Sequence, residues 1–223
     1  MLENSFFDRD TLLVTRKLVG KIIRSKYHDH WLAAKIIETE AYFKKEKGSH
    51  ASLGLTEKRK ALFMPPGTIY MYFARGGDSL NISCSGSGNA VLIKAAIPYS
   101  DSKTSPDMLA IMQRLNPMTG SGLKRKVEWL CSGQTLLCRS LNIKVVGWDK
   151  KNFHHEMLFI EDVGITPVKL VKARRLGIPQ GRDENLLYRF VDFENANYAT
   201  SNPMSKRQWQ AGIDYEIIRN DEL

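Results

Sequence analysis

The chain has 223 residues, 43% of them hydrophobic, which is enough to bury the core of one domain spanning residues 1–223. No segment approaches the roughly 20 apolar residues of a transmembrane helix, and the acidic stretch over residues 1–10 does not resemble a signal peptide. Composition therefore excludes a helical membrane protein, and we expect a soluble, cytoplasmic protein.

The charge balance is strongly basic. Lys and Arg number 33 against 24 Asp and Glu, which gives a formal net charge of +9 and a pI near 9.4. Such an excess favours a polyanionic partner, because cations that displace counterions from nucleic acid give affinity that does not depend on sequence. The alternative is a basic surface that serves solubility alone. The basic clusters fall at residues 44–47, 58–60 and 124–126.

The first predicted elements are a short helix and a β-hairpin. Asp8 or Asp10 caps the helix, which is expected to end at Gly20, where a glycine can close the last turn. Strands over residues 21–27 and 31–41 follow, separated by three residues, and this spacing predicts an antiparallel pair.

The second strand of this hairpin carries Glu38, Glu40 and Tyr42 at alternate positions. On a regular strand these three share one face, while the intervening residues, Ile37 among them, take the other. A carboxylate buried without a partner costs several kcal/mol, roughly, so this face must be solvated, paired with cations or part of a pocket. The alternative is an ordinary solvated edge strand.

Aromatic and amide side chains mark the next segments. Tyr70 and Tyr72 share a face of a predicted strand over residues 69–73, and there they either pack in the core or form a wall beside the acidic strand. His50 lies in a loop and is either merely exposed or functional. Asn81 lies in a short apolar strand and must find hydrogen bonds, either in a site or with the backbone.

The remaining pattern predicts the fold class. Further strands are expected at residues 90–97, 157–160 and 168–171, with helices over 106–115 and after a Ser132 cap, and with exposed loops at 99–107 and 120–126. Hairpin-linked strands with scattered helices favour an α+β fold, a single domain with a curved, mostly antiparallel β-sheet and surrounding helices. Cys84, Cys131 and Cys138 are odd in number and lack metal-ligand spacing, so we expect reduced structural thiols and no metal site.

An ordered series of short segments carries a family resemblance. The segments are Ile36-Ile37-Glu38-Thr39-Glu40-Ala41-Tyr42, Ser49-His50-Ala51, Pro66-Gly67-Thr68-Ile69-Tyr70-Met71-Tyr72, Leu80-Asn81-Ile82-Ser83, Ala90-Val91-Leu92-Ile93-Lys94-Ala95, Leu130-Cys131-Ser132-Gly133, Arg175-Leu176-Gly177-Ile178 and Tyr188-Arg189-Phe190. In this order they resemble the alkyladenine DNA glycosylases, the 3-methyladenine DNA glycosylases of the alkyladenine (methylpurine) type. The resemblance covers about residues 16–190.

The resemblance implies a monofunctional DNA glycosylase that initiates base excision repair. Such an enzyme flips an alkylated purine out of duplex DNA and hydrolyses its N-glycosidic bond with an activated water. By position, Glu40 is implied as the general base, and Tyr42, His50 and Tyr72 as the pocket that stacks the base, with cation–π attraction for alkylated bases. Asn81 is implied as the residue that excludes guanine.

The resemblance also sets expectations about cofactors, partners and location. It implies no cofactor and no metal, a monomer, and double-stranded DNA with damaged purines as the partner, with no membrane. The location implied is the cytoplasm, in association with the nucleoid if the source is bacterial.

Three basic residues are predicted DNA contacts. Arg75 stands where the family inserts a tyrosine into the minor groove, and a guanidinium can also stack there. Lys94 stands where an arginine that contacts phosphate is usual, so it keeps the charge without the bidentate fork. Arg59 belongs to the second basic cluster.

Two other functions stay open at this level. One is a DNA-damage-binding protein with weak or no catalysis on the same scaffold, which the altered wedge favours and the intact Glu40 opposes. The other is an enzyme acting on RNA or free nucleosides, which contain the same bond. The sequence leaves open the lesion range, whether alkylated or deaminated purines, as well as the catalytic rate.

Overall fold

Nine strands form one sheet in the computed structural model, which describes residues 1–74, 76–206 and 208–220. The strands are β1 (Ile22–Tyr27), β2 (His30–Tyr42), β3 (Ile69–Ala74), β4 (Gly77–Ser83), β5 (Ala90–Pro98), β6 (Leu158–Glu161), β7 (Lys169–Ala173), β8 (Arg189–Asp192) and β9 (Tyr215–Arg219). Their order is β3-β4-β5-β2-β8-β7-β9, with β1 paired to β2 and β6, and each of these pairs is antiparallel. The α+β prediction with an antiparallel sheet is confirmed.

Short helices surround the sheet. The α-helices are α1 (Asn4–Phe7), α2 (Thr11–Leu18), α3 (Met108–Leu115), α4 (Gln134–Ser140) and α5 (Val145–Trp148), and 3₁₀ turns cover His50–Leu53, Glu57–Phe63, Val127–Trp129 and Ala196–Tyr198. No helix in the described ranges is both long and apolar enough to cross a membrane.

Of the helix caps predicted from the sequence, one is confirmed and another is wrong. Asp10 caps α2, since its carboxylate accepts a hydrogen bond from the Leu13 amide at 3.0 Å. The predicted Ser132 cap is wrong, because Gly133 precedes α4 at a φ of +120° and no side chain caps that helix. Only glycine adopts such a backbone conformation readily, so the chain enters α4 through a sharp turn rather than a capping box.

The long strand β2 is the spine of the sheet. Its first half pairs with β1, and its second half pairs with β5 on one side and β8 on the other. Two register shifts against β5 flank Glu38. Such bulges interrupt the alternation of side chains along a strand.

Because of this bulge, the side chains of β2 do not alternate as the sequence predicts. Ile37 packs with Ala95 and Val191, which are the cross-strand partners of Glu38, so it shares the face of that carboxylate instead of opposing it. The prediction of strict alternation is therefore wrong at Ile37, although Glu40 and Tyr42 still share a face beyond the bulge and contact one another. The bulge lets β2 carry an apolar and an acidic residue side by side.

The main core lies between the sheet and helices α2, α3 and α4. It contains Cys84, Cys131 and Cys138, all buried and unpaired, as predicted. Burial raises the pKa of each of these thiols, which keeps them protonated and inert.

Candidate active site

A cavity of about 370 Å³ is lined by strands β2 to β5, by the loop at residues 48–53 and by residues 176–182. Five residues predicted for the site line it: Tyr42, His50, Tyr72, Asn81 and Lys94. Each comes from a different strand or loop, so only the antiparallel arrangement of β2 to β5 brings them together.

Glu40 is fully buried directly behind two residues of the cavity wall. Its Oε2 atom accepts a hydrogen bond from the Tyr42 hydroxyl at 2.8 Å and lies 3.5 Å from the Lys94 ammonium. Its Oε1 atom accepts a hydrogen bond from the Leu176 amide at 3.3 Å. A buried carboxylate is tolerated here because a cation and two donors compensate its charge.

These contacts keep Glu40 ionised. Burial alone raises the pKa of its carboxyl, but the charges of Lys94 and Arg189 and the hydrogen bonds from Tyr42 and Leu176 outweigh burial. The pKa of Glu40 therefore lies below its ordinary value of 4.5. At neutral pH the site holds a carboxylate rather than a carboxylic acid.

Tyr42 is held by Glu40 at its hydroxyl and by Arg175 over one face of its ring. The Arg175 guanidinium lies 4.6 Å from the centre of its ring, and the same guanidinium forms a buried ion pair with Glu46 at 2.6 Å. Arg175 also donates to the Ala41 carbonyl at 2.8 Å. Because burial and the Glu40 carboxylate disfavour the phenolate, the pKa of Tyr42 lies well above its ordinary value, so its hydroxyl remains a donor to Glu40.

Three aromatic rings cluster in the lining of the cavity. His50 Nδ1 lies 2.9 Å from the Tyr70 hydroxyl, and its ring meets that of Tyr72 edge-on with centroids 4.7 Å apart. Tyr70 and Tyr72 lie 5.6 Å apart, as neighbours on one face of β3. Desolvation and the Arg59 charge lower the pKa of His50, which favours a neutral imidazole at this wall.

Asn81 is one of the residues that line the cavity. It pairs with Tyr70 across β3 and β4, and its side-chain amide donates to the Tyr70 carbonyl at 3.3 Å. The sequence left open whether Asn81 lies in a site or bonds the backbone. In the structure it does both, since its amide bonds a backbone carbonyl and the residue also lines the cavity.

Glu38 is engaged away from the cavity lining. Its carboxylate lies 2.7 Å from Arg189 Nε, and it accepts hydrogen bonds from the Thr200 hydroxyl at 2.6 Å and the Thr200 amide at 2.9 Å. The strand pattern alone treats Glu38 and Glu40 alike, whereas the fold gives them different partners.

The predicted DNA contacts lie in different settings. Lys94 is buried and points toward Glu40, so its ammonium is part of the cavity wall. Arg59 donates to the Gly54 and Leu53 carbonyls at 2.9 and 3.0 Å, at the side of the cavity that Leu53 lines. Arg75 lies outside the described residues.

Sequence reasoning gave no role to Arg175, Arg182 or Arg189. Arg182 lines the cavity, and the other two are buried beside Tyr42 and Glu38. Arg175 and Arg189 lie within segments that carried the family resemblance, which was the available signal. Their partners are distant in sequence, so spacing alone does not reveal the contacts. No group of His, Cys, Asp or Glu in the described part of the chain is arranged to hold a metal ion.

Comparisons with known proteins show the family of the chain. The model of the methylpurine-DNA glycosylase (MPG) family matches residues 5–196. A protein of Pseudomonas syringae pv. tomato is 56% identical over 217 residues, covering 97% of this chain and 96% of its own. One from Pseudomonas aeruginosa is 54% identical over 221 residues, covering 99% and 92%.

A more distant relative, from Carboxydothermus hydrogenoformans, is 30% identical over 208 residues, covering 90% of this chain and 98% of its own. All three carry the name "Putative 3-methyladenine DNA glycosylase". With nearly the whole chain matched, this protein belongs to the methylpurine-DNA glycosylase family and is a DNA glycosylase-type hydrolase.

Proposed function

We propose that the chain removes alkylated purines, 3-methyladenine among them, from duplex DNA by hydrolysing the N-glycosidic bond with a water activated by Glu40. One observation carries the proposal: an ionised, buried carboxylate is hydrogen-bonded to an aromatic residue in the wall of a cavity. The product is a free base and an abasic site, which begins base excision repair.

The cavity suits a flipped base. Its volume of about 370 Å³ lies within the usual range for small-ligand sites, and four aromatic side chains are among its lining residues. A purine that enters would stack against Tyr72 and against the face of Tyr42 that Arg175 leaves open. His50, held by Tyr70, would contact the edge of the base.

Glu40 acts at the sugar. Its carboxylate stays ionised, because nearby cations and hydrogen bonds lower its pKa, and this fixed negative charge stabilises the cation that develops on the sugar as the bond breaks. The same carboxylate orients the water and accepts its proton late in the reaction. A purine that alkylation has made cationic is already a good leaving group, so this modest base suffices.

Lys94 compensates for the cost of burying Glu40 before the reaction. Its ammonium, 3.5 Å from Oε2, keeps the carboxylate ionised without a short contact that would fully neutralise it. The carboxylate thereby retains attraction for a second, transient cation. Asn81 in the cavity lining would discriminate against guanine by opposing its exocyclic amino group.

DNA binding draws on the basic surface around the cavity mouth, with Arg59 at its rim and Arg75 as the side chain that fills the gap left by the flipped nucleotide. We expect the protein to act as a monomer in association with the nucleoid if the cell is bacterial. Deaminated purines remain outside this proposal.

The test is release of a free base. Purified protein is incubated with a methylated DNA duplex, and free 3-methyladenine is measured by chromatography. Unmethylated duplex, methylated RNA and methylated nucleoside are run in parallel. Release from the methylated duplex alone supports the proposal. Tight binding to the duplex without release would instead establish a damage-binding protein, and release from nucleoside alone would establish a nucleosidase.

A further inference from the structure

Arg189 is the most deeply enclosed cation near the site. It lies in β8, it is among the largest fully buried side chains of the chain, and it does not line the cavity. A buried guanidinium carries a large desolvation cost, so its partners explain why it is there.

Those partners come from two distant parts of the chain. Arg189 Nε lies 2.7 Å from Glu38 Oε1, and Nη2 donates to the Ser201 carbonyl at 2.8 Å. Thr200 completes the cluster, because its hydroxyl and its amide both donate to the Glu38 carboxylate. Asn202, also buried, ties this turn together through the Ala196 and Thr200 carbonyls.

Arg189 is also the direct cross-strand partner of Glu40. Register across β2 and β8 pairs Glu38 with Val191 and Glu40 with Arg189. Directly opposed residues in antiparallel strands have Cβ atoms about 4.5–5.5 Å apart, so the base of the Arg189 side chain is adjacent to that of Glu40. The Arg189 side chain therefore begins beside Glu40 and ends in the ion pair with Glu38.

We propose that Arg189, clamped by Glu38 and residues 200–201, is a positioning residue that holds the Glu40 carboxylate in its reactive place and ionisation state. The inference rests on the proposed function, in which Glu40 serves the hydrolysis. It adds a part of the chain that the family match does not reach, because that match ends at residue 196 while the clamp closes at residues 200–201.

Electrostatics at Glu40 are consistent with this role. The groups that face its carboxylate are Lys94 from β5, Arg189 from β8, the Tyr42 hydroxyl and the Leu176 amide, with Glu38 on the same strand. Burial raises the pKa of Glu40, and Lys94 and then Arg189 are the largest charges that lower it. Loss of the Arg189 charge therefore shifts the pKa of Glu40 upward, and activity on the acid side should fade at a higher pH.

Two variants separate positioning from stability. In Glu38→Gln/Arg189→Met the ion pair is removed as a unit, so no buried charge is left unpaired. In Thr200→Val only a hydroxyl is lost. Its matched control is Thr39→Val, because the Thr39 hydroxyl also makes a hydrogen bond in the interior, 2.8 Å to the Thr15 carbonyl, next to Glu40 in sequence but outside the clamp.

The primary measurement is the titration of the Glu40 carboxyl carbon by NMR, with the signal assigned through its absence in Glu40→Gln. The second is the pH profile of single-turnover base release, together with the Kd for lesion-containing duplex. We expect a higher Glu40 pKa and a matching shift of the acid limb in Glu38→Gln/Arg189→Met, and a smaller shift in Thr200→Val. Release slows about tenfold or more while the Kd changes little. Thr39→Val keeps the parent pKa and pH profile.

An unchanged Glu40 pKa in a folded Glu38→Gln/Arg189→Met variant would overturn the inference. If that double variant does not fold, equal behaviour of Thr200→Val and Thr39→Val would overturn it instead. A parent protein that releases no base refutes the proposed function, whereas the NMR titration still decides whether Arg189 sets the state of Glu40.

Discussion

At the residue scale, Glu38 and Glu40 lie two positions apart on one strand but have different environments. Glu38 is bound by Arg189 and Thr200, so its charge is committed to holding the fold. Glu40 has a more distant cation, at 3.5 Å, and contacts a residue of the cavity wall. Sequence indicated that this pair of acids mattered, but the difference between them depends on partners far away in the sequence, which are Lys94 for Glu40 and Arg189 and Thr200 for Glu38.

Asn81→Ser should relax selectivity against guanine. The smaller side chain leaves room in the cavity for an exocyclic amino group, whose exclusion is worth about 1–3 kcal/mol. We expect the ratio of guanine-type to adenine-type base release to rise, while alkyladenine release falls little. The measurement is competitive release from duplexes that contain both lesions.

Melting temperature serves as the control for Asn81→Ser, because the amide also bonds the Tyr70 carbonyl. A well-folded variant with the parent's ratio of released bases would make Asn81 a structural residue, and selectivity would then reside elsewhere in the cavity wall.

At the scale of secondary-structure elements, the site depends on the packing of helix α4 against strand β4. Gln134 at the start of α4 donates to the Ser79 hydroxyl at 2.7 Å and lines the cavity. Arg139 at the other end of this helix binds the Gly76 carbonyl in the turn between β3 and β4. Helix α4 therefore braces the hairpin that carries the aromatic wall.

Gly77→Ala should loosen this brace. A Cβ atom at Gly77 would lie 2.7 Å from the Thr135 Cβ, so α4 must move away from β4. We expect a loss of about 1–3 kcal/mol in the free energy of unfolding, as for other overpacked positions, together with weaker binding of lesion-containing duplex. Urea denaturation and a binding titration measure the two effects.

Gly147→Ala is the matched control, because nothing lies within 4 Å of its added Cβ and the residue is helical. Its stability should equal or exceed that of the parent. If both variants unfold at the same urea concentration as the parent, α4 is not pressed against β4 as the structure indicates.

Elements were predictable where the signal was local. The β1/β2 hairpin, β3, β5 and α3 follow from short-range patterns, since each combines an apolar period with a turn or a cap. The sequence pattern did not predict β8 and β9. Strand β8 is four residues long, and its two apolar residues are flanked by two charged ones. All four are buried, and this pattern is explained only by partners on β2 and β7. The bulge at Glu38 likewise arises from pairing with β5.

At the scale of the whole molecule, the net charge of +9 bears on DNA binding only through the positions of the lysines relative to the cavity. Lys44 and Lys45 directly follow the end of β2 that carries Tyr42, and both are exposed. Lys26 is equally exposed but pairs with Trp31 at the opposite end of β2. If DNA covers the cavity mouth, only the first of these two surfaces contacts phosphate.

Lys44→Ala should therefore weaken duplex binding, and Lys26→Ala should not. Removing one ion pair between a lysine and a phosphate reduces the slope of log K against log salt by about 0.9. We expect that reduction for Lys44→Ala on damaged and undamaged duplex alike, measured by fluorescence anisotropy across a salt series. Equal slopes for the two variants would mean that DNA does not lie across the cavity mouth.

The most direct test of the account compares single-turnover base release by Glu40→Gln and Glu38→Gln. Loss of the Glu40 charge removes both cation stabilisation and proton acceptance while it preserves shape. Release from methylated duplex should therefore fall by about 10²–10⁴-fold or more, with lesion binding within a few-fold of the parent. Glu38→Gln should lose stability, because Arg189 is left without its carboxylate, yet its folded fraction should still release base. Parent-like release by Glu40→Gln together with an inactive, folded Glu38→Gln would contradict the assignment.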